Sequence, residues 1–210
     1  DQDAVAHPPL SADETARAAR FVNPLHANRY RAGRAGLREI LAGYVAHDAA
    51  DLAFDYNKQG KPSLPNGPQF NLSHTGDLAA LAVTATCAVG IDIEAHRAIE
   101  PDVARRFFST VEYASLSALP AAQWQDGFYR CWTRKEALVK ACGPGLSMPL
   151  DSFDVTLAPG EPAQLLRLDG ADSTANDWTL VHLDPAPGIV GAIAIEAKGQ
   201  TVNVNRRNTN

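Results

Sequence analysis

Gly90-Ile-Asp-Ile-Glu94 sets two carboxylates two residues apart. On a strand these side chains share one face, while Ile91 and Ile93 turn the other way, into a core. Adjacent carboxylates repel unless a cation lies between them, and hard oxygen donors suit Mg2+. Taken alone, the pair is equally that of a solvent-facing strand edge. A second set is Trp132-Thr-Arg-Lys-Glu136 followed by Lys140. Trp132, Glu136 and Lys140 are spaced i, i+4, i+8 and line one stripe of a helix. In such a stripe Glu136 can serve as a third metal ligand or a general base, with Lys140 beside it to meet a phosphate. An ordinary surface Glu–Lys pair of little energetic weight has the same spacing.

Other residues suit anions. Asn71-Leu-Ser-His74 ends a strand at a turn, where Ser73, His74 or nearby backbone N–H groups can bond phosphate oxygens. A serine hydrolase is disfavoured, because neighbouring residues on an extended chain point apart and Gly-x-Ser-x-Gly is absent. Gly60-Lys-Pro62 puts the Lys61 cation on a stiff turn. Arg29, Arg31, Arg34 and Arg38 crowd one helix, either as a local anion site or as a solvated face.

The elements that position these groups follow from periodicity and punctuation. Ser11-Ala-Asp-Glu14 reads as a cap opening a helix to about Phe21, and a second helix is predicted from His26 to Val45. Turn formers fill 57–62 and 64–68. Strands are predicted at Phe70–Ser73, Leu78–Thr84, Val89–Ile93, Phe153–Leu157, Trp178–Leu183 and Ile189–Glu196, and helices at 101–119 and Trp124–Cys142, the last ended by Gly143-Pro-Gly145. The first ten residues and 203–210 read as irregular. Asp77–Val83 followed by Gly90–Glu94 is echoed by Asp177–Leu183 followed by Gly191–Glu196, as in a tandem duplication whose second copy has lost the aspartate.

Bulk properties set the frame. The chain has 210 residues, 45% hydrophobic and 20% charged, enough for one large domain or two small ones. A net charge of −5 gives no global reason to expect nucleic acid. Cys87, Cys131 and Cys142 form neither a disulfide framework nor a zinc motif, which points to a reducing cytoplasm. No secretory leader pattern is visible, although the chain does not open on Met, and the longest apolar stretch, Leu78 to Ile91, is too short to span a bilayer.

In order and spacing, Gly60-Lys-Pro62, Phe70-Asn-Leu-Ser-His74, Gly90-Ile-Asp-Ile-Glu94, Arg97, Phe107-Phe-Ser-Thr-Val-Glu112, Trp132-Thr-Arg-Lys-Glu-Ala137, Lys140 and Gly143-Pro-Gly-Leu146 resemble the Sfp-type 4'-phosphopantetheinyl transferase family. The likeness runs from about Phe21 to Phe153. It implies an α+β fold of two similar subdomains, 1–100 and 101–210, related by a pseudo-twofold axis, with coenzyme A in the cleft between them. It further implies a magnesium ion on Asp92, Glu94 and Glu136, with Glu136 as base. Lys140 and Lys135 would lie near the pyrophosphate, Ser73 and His74 on a coenzyme A phosphate, and Lys61, Arg29 and Arg34 would supply further cations. The implied reaction moves phosphopantetheine from coenzyme A to a serine of an acyl, peptidyl or aryl carrier protein. A monomer with no nucleic-acid or membrane partner is expected. Part of the carrier is expected to dock on 101–128, where Phe107, Phe108, Leu116 and Leu119 lie, although core packing accounts for most of these. A non-catalytic binding module would betray itself by a lost metal ligand. A Mg2+-dependent pyrophosphate hydrolase would share all three acids.

Overall fold

A computed structural model describes residues 10–143, 148–169 and 173–208. Residues 144–146 of the Gly143–Leu146 motif, the first nine residues and the last two are among those that lie outside them. Ser11 opens α1 (Ala12–Ala18) through the expected reciprocal cap, its N–H donating to Glu14 Oε2 at 3.0 Å while its hydroxyl accepts from Glu14 N. The helix stops three residues short of Phe21. Asn23 then caps α2 (Pro24–Ala42), where Pro24 presets the first turn. Gly33 and Gly36 do not interrupt α2.

Glu14 also anchors this end of the molecule. Its two oxygens accept from Arg34 Nε and Arg38 Nε, each at 2.7 Å. Arg38 continues to the carbonyls of Ala49, Ala50 and Leu52, and Arg34 to the Tyr56 hydroxyl and the face of Phe54. The arginine-rich helix is thus split: Arg34 and Arg38 are 6% and 1% exposed, while Arg29 and Arg31 face outward. Burial would raise the Glu14 carboxyl, but Arg38, the Ser11 N–H and Arg34 together hold it below its ordinary value. Its stabilising effect is complete above the unfolded-state pKa near 4.5 and is lost as pH falls through the lower folded-state value. Glu14→Gln strands two buried guanidiniums and is expected to cost about 3–5 kcal/mol. Denaturant unfolding at pH 7 measures the loss, and the gap to wild type should narrow as pH falls below 4.5 toward the folded-state value.

Short β1 (Asp55–Tyr56) pairs with β2 (Pro62–Ser63), and β3 (Gln69–Thr75) forms a hairpin with β4 (Leu78–Thr84) around Gly76. β5 (Val89–Ala95) leads into α3 (Pro101–Phe107) and α4 (Thr110–Ser117). These two replace the single helix predicted at 101–119, because Ser109 starts a new cap with Glu112. α5 (Ala121–Cys142) ends at Gly143 with φ +80°, the left-handed cap that glycine allows. β6 (Phe153–Val155) pairs with β7 (Leu165–Leu168). Antiparallel β8 (Trp178–Ala186) and β9 (Ile189–Glu196) complete a sheet ordered β5-β9-β8. The echoed segments are strands, as expected, but β8 pairs with β9 whereas β4 pairs with β3.

The architecture is α+β, with α5 lying across β5 and β9. The approach is very close. A Cβ on Gly90 would collide with the Ala137 carbonyl oxygen and the Ala141 nitrogen, and Ala192 and Ala194 beneath the helix are fully buried. Even-numbered β5 residues therefore face α5. Val89 and Ile91 pack on the opposite side with Ala82, Leu183, Ile193 and Ile195. Among the described residues no helix is long and apolar enough to cross a membrane.

Candidate active site

β5 has β9 on one edge and β3 on the other, and the second contact runs through side chains. Asn71 Oδ1, Ser73 Oγ and Thr75 Oγ1 accept from the N–H groups of Ile91, Ile93 and Ala95 at 2.9, 3.3 and 3.1 Å. Alternation along β3 puts these three acceptors on one face, where they satisfy backbone donors that no strand ladder covers.

Asp92 projects from this reinforced strand toward α5 and is 4% exposed. Its Oδ1 accepts from Lys140 Nζ at 2.6 Å and from Ser73 Oγ at 3.1 Å. Its Oδ2 is buried and has no hydrogen-bond partner among the described residues. Leaving such an acceptor unpaired costs on the order of 1–3 kcal/mol, so Oδ2 is placed to accept from a donor or to meet a cation. Along α5, Trp132, Glu136 and Lys140 are the half-buried positions in a run of otherwise buried residues from Cys131 to Lys140, which realises the predicted stripe. Trp132 meets Phe107 edge-on and stacks on Phe128. Burial, then the Asp92 charge, raises both the Glu94 and the Glu136 carboxyls above their ordinary values, while Lys140 pulls the other way. The three acids are electrostatic neighbours and not a closed cage: among the described residues no three acidic, His or Cys side chains stand in ligating positions.

The structure divides the other predicted residues. Ser73 joins Asp92 and Lys140, its hydroxyl already shared among Asp92, Ile93 N and Lys140. His74 is exposed on the other face of β3, where it lines, with Arg29 and Arg34, a groove of about 2380 Å3 between α2, β4 and the segment 200–208. Arg29 bonds Asp77 at 2.7 Å and keeps part of its surface open. Arg34 is committed to Glu14 and Tyr56. Lys135 is fully buried: its Nζ reaches the carbonyls of Leu150 and Phe153 and pairs with Glu112 Oε2 at 2.7 Å. Lys61 Nζ donates to the carbonyls of Lys140 and Val89. Phe108 and Leu116 belong to the core, and Phe107 and Leu119 pack partly against it.

Sequence reasoning missed Asn71 and Thr75 as supports of β5. The signal was present as short polar side chains at alternate positions 71, 73 and 75. It also missed Glu112 as the partner of Lys135, marked only by the Ser109-x-x-Glu112 cap.

Residues 88–194 match the model of the 4'-phosphopantetheinyl transferase superfamily. The 4'-phosphopantetheinyl transferase HetI of Nostoc sp. is 42% identical over 197 residues, covering 90% of this chain and 80% of the relative. The 4'-phosphopantetheinyl transferase psf-1 of Bacillus pumilus is 36% identical over 85% of this chain and 76% of its own length. Sfp of Bacillus subtilis is 36% identical over 70% of this chain and 66% of its own.

Proposed function

The chain belongs to the 4'-phosphopantetheinyl transferase superfamily, and we propose that Asp92, Glu94 and Glu136 hold a magnesium ion for its reaction. That reaction transfers phosphopantetheine from coenzyme A to a carrier-protein serine. One observation carries the metal reading: the buried Asp92 Oδ2 has no partner among the described residues, beside two further carboxyls whose proton affinity is raised by burial and then by its charge. An all-oxygen acidic donor set fits Mg2+. When bound, the ion would neutralise charge on the pyrophosphate oxygens.

The chain's own groups account for the remaining steps. The serine oxygen attacks the β-phosphorus of coenzyme A, the bond from that phosphorus to the bridging oxygen breaks, and 3',5'-ADP leaves. Glu136 takes the hydroxyl proton. Lys140, already 2.6 Å from Asp92, offers its ammonium to the departing phosphate. His74 and Arg29 suit the nucleotide end. The reading extends to a cytoplasmic monomer, since both walls of the site, β5 and α5, come from one chain and Cys87, Cys131 and Cys142 are free thiols.

Apo carrier proteins incubated with coenzyme A and Mg2+ should gain the phosphopantetheine mass, and a chelator should abolish the gain. Equal loading in the chelator would sink the metal assignment, and ADP release without any carrier would indicate a hydrolase. Because the raised carboxyls disfavour the ionised apo site, Mg2+ should also raise Tm, and by more at pH 7 than at pH 5.

A further inference from the structure

The turn at residues 57–61 is braced from within. Asn57 Oδ1 accepts from the N–H groups of Gln59 and Lys61 at 3.0 and 2.8 Å, and Asn57 N donates to Lys61 O at 3.1 Å. Gly60 closes it at φ +83°, a conformation that other residues rarely adopt. This rigid turn aims two side chains at the last turn of α5. Lys61 Nζ donates to Lys140 O at 2.6 Å and to Val89 O at 3.2 Å, and Asn57 Nδ2 donates to Gly143 O at 3.1 Å.

These acceptors share a location. The Lys140 carbonyl is among those a helix C-terminus leaves without an intrahelical donor, and a cation is favoured there. Val89 precedes Gly90, the point where helix and strand approach most closely. One ammonium thus joins the backbone of Lys140 to the strand that carries Asp92. Burial holds the Lys61 amine below its ordinary pKa.

We propose that Lys61 and Asn57 are positioning residues for the transfer: together they clamp the end of α5 to β5 and so hold Lys140 against Asp92. The Lys61 charge is used on protein carbonyls and not on a coenzyme A phosphate. This rests on the Asp92–Lys140 site described above. If that site is wrong, Asp92→Asn loads carrier as well as wild type, and the comparison of clamp variants stays readable.

The test compares Lys61→Met, Asn57→Ala and wild type, each checked for folding by circular dichroism. Calorimetry gives the Kd for coenzyme A, and carrier loading gives kcat. A misplaced site costs rate, so kcat should fall about 10- to 100-fold in Lys61→Met and in the same direction, by less, in Asn57→Ala. The Kd for coenzyme A should stay within about twofold of wild type in both, since on this proposal both side chains are spent on backbone carbonyls. Loss of a charge-assisted phosphate contact would instead raise Kd about 10-fold or more in Lys61→Met alone. That result overturns the proposal, and so does wild-type kcat in both variants.

Discussion

Asp92→Asn is expected to keep the fold and to lower carrier loading by about 100- to 1000-fold, the scale seen when a preorganised electrostatic group is lost. Asparagine matches aspartate in shape and can still accept from Ser73 and Lys140 through its carbonyl oxygen. What disappears is the charge, together with the buried Oδ2 that has no partner among the described residues. Stability should change little, because an unpaired buried carboxylate oxygen contributes nothing favourable to the fold. Lys140 has 30% of its side chain exposed and can return to water. Initial rates of carrier mass gain at saturating Mg2+ and coenzyme A, with melting followed by circular dichroism, separate the two effects. A variant that keeps a tenth or more of the wild-type rate would remove Asp92 from the metal set.

Gly90→Ala is expected to damage fold and activity together. The added methyl would strike the Ala137 carbonyl and the Ala141 nitrogen, which are helix backbone and cannot rotate aside as a side chain would. α5 must shift from β5, at an overpacking cost of about 3 kcal/mol. For a chain of this size that lowers Tm by about 6–12 °C. Glu136 and Lys140 ride on the displaced segment, so residual activity below the melting range should fall further than the folded fraction does. Wild-type turnover per folded molecule would show that the closeness of α5 to β5 is not required for the chemistry.

The parts of this site that were legible in the sequence are those set by short-range periodicity. Asp92 and Glu94 share a face because a strand repeats every two residues. Glu136 and Lys140 share a stripe because a helix repeats every 3.6, and the Ser11–Glu14 cap needs only three residues. Distinctions that depend on distant partners were not legible. Lys135 and Lys140 occupy one helix, yet Lys135 turns under it to Glu112, and sequence spacing says nothing of that. Arg34 and Arg29 look alike until Glu14 claims one of them. Lys61 has the chemistry of a phosphate ligand, and its backbone acceptors at 89 and 140 leave no mark on residue type. The break between α3 and α4 was written at Ser109 and Glu112, but apolar spacing across 101–119 masked it.

Strands β3 and β5 meet through an amide and two hydroxyls, whereas β5 and β9 meet through a continuous main-chain ladder. Three χ1 rotations release the first contact, while rupture of the second requires the backbone to give way. The sheet region is therefore mechanically uneven. Tension across it is expected to part β3 from β5 beside Ser73, on the seam between the β3–β4 hairpin and the strand carrying Asp92, before the wall formed by β5, β9 and α5 gives way.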